Sequence, residues 1–385
     1  MFIRYAAKSC PLRTKHSWVS FTLKALLVVF LPLRVYCEDS KNSVESLAPS
    51  FGTSTAEMSL EEALENQIKR APFHSDQAMW NQRKTALIQS LHKKLRIKKE
   101  FASSKFQIHK NFDIAGIRIK TISLETSDGT TVHGNIYSPT SMTNALAGIL
   151  LPHDHSDNGR FDRVLIILAM NLARAGAFVM TWDMIGWGNT LGDHDQPETK
   201  PRQVQHGLEL LKVFSTQQYL DKKRIGLVGF SGGAHLGIYL SALTDDIQTR
   251  VLASMISSLR VGNCSCELLG YPYQNVFHGT DNVELSALFE PRPQLIISNG
   301  SDWTRHFPEI GFNTIYKIYS LSNSSQKLES IFLKEMGHDF SPGHRQIAYN
   351  FLEKNLKLRF TKDINGQVDE TWIPIIDEAA LGESY

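Results

Sequence analysis

Hydrophobic and polar positions change period several times along the chain, and each change marks a predicted element. SLEEALENQIKRA (59–71) carries a helical pattern, with Ser59 placed as N-cap and Glu62 three residues on. MWNQRKTALIQSLHKKL (79–95) sets Trp80, Leu87, Leu91 and Leu95 on one helical face. From 117 the pattern switches to alternation. IRIKTISLETSDGTTVHGNIYSP predicts an antiparallel hairpin over 118–138, turning at Ser127-Asp128-Gly129. Short apolar runs then alternate with helical patterns. Strands are predicted at 148–154, 177–183, 225–230, 251–257, 293–299 and 328–335, and helices at 164–176, 202–218, 233–243, 308–322 and 344–357. Continuous apolar strands between helices imply an α/β fold: a mostly parallel sheet with helices on both faces, preceded by the antiparallel hairpin and a helical extension. A ligand site belongs at the carboxyl ends of such strands.

The ends of the chain break this pattern. Residues 1–24 carry basic residues and no acid, ALLVVFLPL (25–33) is apolar, and the first acids are Glu38 and Asp39. A basic stretch before a short apolar one reads as an export signal over 1–37, which predicts a secreted or periplasmic protein. Nine apolar residues are too few to span a bilayer, so no stable span is expected in the mature chain; a short anchor is the alternative. The expected organisation is then a helical extension over 38–110, an α/β domain over 111–360 and an acidic surface tail over 361–385.

Composition narrows the function. The 385 residues are 42% hydrophobic and 21% charged, with a net charge of +2 from 41 basic and 39 acidic residues. Nothing there favours nucleic acid. Cys10 and Cys37 lie in or beside the export segment. Cys264 and Cys266 are one residue apart, awkward for a disulfide. His153 and His155 form an H-x-H pair without a third ligand at metal spacing, so no metal and no cofactor are expected.

RIGLVGFSGGAHLG (224–237) raises the central question. Gly229-Phe230-Ser231-Gly232-Gly233 is G-x-S-x-G between a predicted strand and a predicted helix, the context of a nucleophile elbow. The alternative is a tight connection and nothing more. A serine hydroxyl needs a base. His338 follows the last predicted strand, whereas its rival His344 opens the final helical pattern. The acid that orients the imidazole is expected at Asp302, just past strand 293–299, with Glu267 as the rival. Oxyanion donors are expected from Gly232 and from the loop after 148–152, near Asp154 or His155. Asp183 reads as a loop-ordering residue. Trp182, Trp187 and Trp303 sit at the same sheet edge and suit stacking on a sugar ring.

PHDHSDNGR (152–160), WDMIGWG, GFSGGAH, CSCE (264–267), DNVELSALFEPRPQLI (281–296), SDWT (301–304) and the terminal GHDF occur in that order. In this the chain resembles secreted α/β-hydrolases of the acetyl xylan esterase type, the dienelactone-hydrolase-like group, over about 79–357. The resemblance implies Ser231 as nucleophile, His338 as base, Asp302 as acid, and a serine esterase acting on acetyl groups of polysaccharides or oligosaccharides. A glucuronoyl-type ester is a close variant. A serine peptidase of the same fold and a non-catalytic carbohydrate-binding relative are the alternatives. The chain departs from the group at Asp154, where members tend to carry glycine in His-Gly-His-Ser.

Overall fold

The computed structural model describes residues 59–98, 105–142, 145–196, 198–258 and 279–382. The export-like segment 1–37, with Cys10 and Cys37, lies outside the described residues, as do Cys264, Cys266 and the rival acid Glu267.

The described strands are β1 (Lys105–Ile114), β2 (Ile117–Glu125), β3 (Thr131–Pro139), β4 (Leu146–Leu150), β5 (Ala177–Trp182), β6 (Leu220–Phe230), β7 (Ile247–Ala253), β8 (Gln294–Asn299) and β9 (Leu328–Leu333). They form one sheet in the order β1-β2-β3-β5-β4-β6-β7-β8-β9. The pairs from β1 to β3 and from β3 to β5 are antiparallel; all others are parallel. Helices α1 (Leu60–Arg70), α2 (Gln77–Lys94), α3 (Arg163–Arg174), α4 (Thr199–Phe214), α5 (Ser231–Leu243), α6 (Asn282–Ala287), α7 (Phe312–Leu321) and α8 (Pro342–Leu356) surround it.

Both faces of the sheet are buried, which explains the unbroken apolar runs of the parallel strands. On one face Phe178, Met180, Ile225 and Leu227 pack with residues of α2, α4, α5 and α7. On the other, Ile149, Val179, Val228 and Val251 pack with α3 and α8. The predicted α/β layering is present.

α1 begins with the expected capping box: Ser59 Oγ accepts from the Glu62 N–H at 3.1 Å, and Glu62 accepts from the Ser59 N–H at 2.9 Å. α1 and α2 are joined to α6 by buried ion pairs. Arg70 donates to Asp281 (2.5 Å), while Glu284 accepts from both ends of Arg83 (2.8 and 2.9 Å) and bonds His74 (2.9 Å). Despite its complete burial, which by itself would raise it, the Glu284 carboxyl is held down at about 2 by these partners.

Two expectations change. Residues 105–110 are strand, not helix: β1 completes a three-stranded meander, its register running from Lys105↔Glu125 to Ile114↔Ile117. As an edge strand with mostly exposed side chains, β1 hides its alternation behind Gln107, His109 and Asn111. The tail beyond 360 is docked, not merely superficial. Val368, Ile373, Ile376 and Leu381 are buried in the layer formed with α3 and α8. Arg345 pairs with Glu370, and Trp372 Nε1–H donates to Asn171 at 3.0 Å. Lys110 donates to the Ala379 and Gly382 carbonyls at 2.9 and 2.7 Å, and Arg160 reaches Leu381 O at 3.4 Å. Acid count described the tail poorly; four well-spaced apolar residues decide where it lies. Among the described residues no helix is long and apolar enough to cross a membrane.

Candidate active site

β6 ends with Phe230 in extended conformation, and Ser231 begins α5 at φ +49°. A residue bearing a Cβ is strained in that left-handed region, where glycine is the usual occupant. The flanking glycines are required by contact. A Cβ on Gly233 would lie 2.4 Å from the Pro152 carbonyl oxygen, and one on Gly232 would lie 2.7 Å from the His155 imidazole. The turn is thus built to hold a serine between the loop after β4 and the start of a helix.

His338 lies past the end of β9, and Asp302 past the end of β8. The Ser231 hydroxyl is placed to donate to His338 Nε2 at 2.9 Å, and His338 Nδ1 lies 3.3 Å from Asp302 Oδ1. A carboxylate at Nδ1 keeps the proton on that nitrogen and leaves the Nε2 lone pair facing the serine. Asp302 is buried and held on both oxygens: it accepts from the Trp303 N–H (2.6 Å) and from Thr304 Oγ1 (2.9 Å). The loops carrying Asp302 and His338 nearly touch, since a Cβ on Gly300 would lie 1.9 Å from Lys334 O. His344, the rival base, is elsewhere. It is wholly buried in α8, bonded to Asn299 (2.9 Å) and Ser341 (2.8 Å), and burial pushes it down to about 4, so it stays neutral.

The loop after β4 separates the H-x-H pair. His153 is fully buried; its Nε2 accepts from the Met184 N–H at 2.9 Å, leaving Nδ1–H to donate to Asp154 O at 2.5 Å. Burial pushes it down to about 4. Both nitrogens are therefore occupied in shaping the loop. His155 instead packs over Gly232 and meets the rings of Trp187 and His194 at 5.9 and 6.0 Å. Among the described residues no group of three His, Cys, Asp or Glu side chains is arranged to hold a metal ion. The Asp154 carboxyl is pushed up to about 6, by burial first and then by the charge of Asp162, against the opposing pull of His155, its own backbone N–H and His338.

Asp183 orders the loop after β5, accepting from the backbone N–H groups of Arg160 and Asn189 at 2.8 Å each and pairing with the buried Arg160 guanidinium. The three tryptophans part company. Trp182 shares the Phe178 and Met180 face of β5 and is 1% exposed, so it belongs to the core and cannot stack on a substrate. Trp187 is 9% exposed among His153, His155 and His194. Trp303 lies over the His338 ring, centroids 4.0 Å apart. Two residues at the site escaped the sequence reading. Thr304 and Asn299 look like ordinary turn formers beside Gly300, and only their contacts distinguish them.

No family model matches the chain, and no curated protein does. Solved structures do. The methylesterase BT1017 is 27% identical with a TM-score of 0.77, over 85% of this chain and 74% of its own. Acetyl xylan esterase 1 from Thermoanaerobacterium sp. (16% identity, TM-score 0.52, 69% and 92% covered) shares the fold. So does a glucuronoyl esterase from Solibacter usitatus (11% identity, TM-score 0.55, 73% and 94% covered). These likenesses, with the nine-stranded mostly parallel sheet, show the α/β-hydrolase fold.

Proposed function

We propose that this esterase-like α/β-hydrolase cleaves small carboxylic esters carried on carbohydrate by a serine mechanism, with acetyl groups as the first reading. Ser231 Oγ attacks the ester carbonyl while His338 Nε2 takes its proton, and buried Asp302 stabilises the imidazolium that forms. The N–H of Gly232 and an N–H at Asp154 or His155 hold the oxyanion. The C–O bond to the sugar then breaks as His338 returns the proton to the leaving hydroxyl. Water, deprotonated by the same imidazole, attacks the acyl-serine and frees the carboxylic acid. No redox partner is needed.

One observation carries the reading: a strained Ser231, at φ +49°, stands 2.9 Å from an imidazole that a buried carboxylate orients. A second reading, a methyl ester of a sugar acid, is favoured by the 27% identity to a methylesterase over most of the chain. The two differ in which side of the ester is the sugar, and so in the small product. Purified protein and Ser231→Ala are compared on p-nitrophenyl acetate, then on acetylated and methyl-esterified polysaccharides with acetate and methanol measured. Activity lost in Ser231→Ala supports the mechanism, and acetate or methanol chooses the ester. Equal rates for both proteins would support a non-catalytic relative instead. We read residues 1–37 as an export signal; a mature N-terminus found by mass spectrometry near Glu38 is the expected result.

A further inference from the structure

Asn299, the last residue of β8, is wholly buried and bonded in four directions. Its side-chain N–H groups donate to Ser254 Oγ (2.9 Å), just past β7, and to Gly337 O (2.6 Å), on the peptide that leads into His338. Its Oδ1 meets His344 Nε2 at 2.9 Å, and its backbone N–H donates to Thr304 Oγ1 at 3.0 Å. Thr304 in turn donates to Asp302. The side chain thus ties the ends of two neighbouring strands to the loop of His338, while the backbone N–H of the same residue holds Thr304, the partner of Asp302.

The orientation of that amide is itself determined. Gly337 O can only accept, so the Asn299 nitrogen faces it and Oδ1 faces His344. His344 must then donate from Nε2, and Nδ1 accepts from Ser341 Oγ at 2.8 Å. A neutral imidazole meets both demands at once, and one ionised at both nitrogens could not accept from Ser341.

We infer that Asn299 and His344 are positioning residues, which hold the His338 loop in register with Ser231 and Asp302. The inference rests on the serine esterase reading. The amide donates to the Gly337 carbonyl, so its loss loosens the peptide before His338. Displacements near 1 Å at a reacting group cost on the order of 100-fold in rate.

The test uses the full chain with Asn299→Ala, His344→Phe and His344→Gln. Phe keeps a ring and loses both bonds; Gln keeps a donor for Asn299. Expected on p-nitrophenyl acetate is a fall in kcat of about 10- to 100-fold for Asn299→Ala and His344→Phe, with KM changed less than about twofold. His344→Gln should recover most of that loss. The rate of Ser231 labelling by a small fluorophosphonate should fall and recover in parallel. If Asn299→Ala does not fold, the two His344 variants decide. Variants that melt like wild type and keep its kcat and labelling rate would overturn the inference alone. Wild-type protein that takes no label at Ser231 would remove the esterase reading and the inference with it.

Discussion

Replacing Asp154 by Asn is expected to make the enzyme faster, and only above about pH 6. The carboxyl sits in the loop that lies over the elbow, and its own backbone N–H is one of the groups that draws on it. Lifting it from 3.8 to about 6 means that ionising it here costs about 3 kcal/mol more than in water. As pH rises through 6 it nevertheless ionises and brings a negative charge toward the proposed oxyanion site. Two unit charges 4 Å apart interact by about 4 kcal/mol at an effective dielectric near 20. An oxyanion that carries part of a charge and is bound by N–H donors feels a fraction of this, and a quarter, about 1 kcal/mol, is about fivefold in rate. The same carboxylate also favours the His338 imidazolium. That contact is the weakest of the named influences on Asp154, behind its own N–H, so relief at the oxyanion should win. Expected for Asp154→Asn is kcat/KM about fivefold above wild type at pH 8 and within about twofold at pH 5, where wild-type Asp154 keeps its proton. The assay is p-nitrophenyl acetate hydrolysis between those limits, corrected for the uncatalysed rate. A ratio that does not change with pH, or a variant slower than wild type at pH 8, refutes the reasoning and would make Asp154 an aid to the imidazolium.

Other expectations concern stability and the base. Asp183→Asn strands the buried Arg160 charge, and chemical denaturation should show a loss of about 3–5 kcal/mol. Glu284 has its folded value depressed to about 2 from an ordinary 4.5, so the stability it adds is complete above 4.5 and lost as pH falls toward 2. Melting followed from pH 6 to pH 3 should therefore fall more steeply for wild type than for Glu284→Gln. Trp303→Ala removes the ring that covers His338 and should lower kcat by about tenfold, with melting little changed, in steady-state kinetics and calorimetry. Ser59→Ala should cost about 1 kcal/mol in the same denaturation assay, from the broken capping box.

What the sequence revealed follows from how each element is buried. β6 was legible because Ile225, Leu227 and Val228 are buried on alternate faces of a covered sheet, which forces an unbroken apolar run. β1 was hidden because it is the edge strand of the described sheet, where exposed side chains can be polar. Ser231, Asp302 and His338 drew notice by following strand ends, in the loops or turns after β6, β8 and β9. Their supports did not: Asn299 is an everyday turn residue until its four bonds are seen. His153 and His155 look equivalent two residues apart, yet successive peptides turn one into the core and the other over Gly232. Trp182 was misplaced because strand parity sends the last residue of β5 to the Met180 face, away from the rim.

The docking of residues 379–382 has a temporal meaning. A ribosome finishes Ser231, Asp302 and His338 well before it reaches Leu381, whose carbonyl Arg160 takes up and whose side chain fills the core. Until then the Arg160–Asp183 loop lacks one of its anchors, and β1 lacks the carbonyls that Lys110 grips. A cut or a foreign sequence placed between residue 370 and Leu381 would therefore loosen the Arg160–Asp183 loop and β1 together, although both lie far from it along the chain.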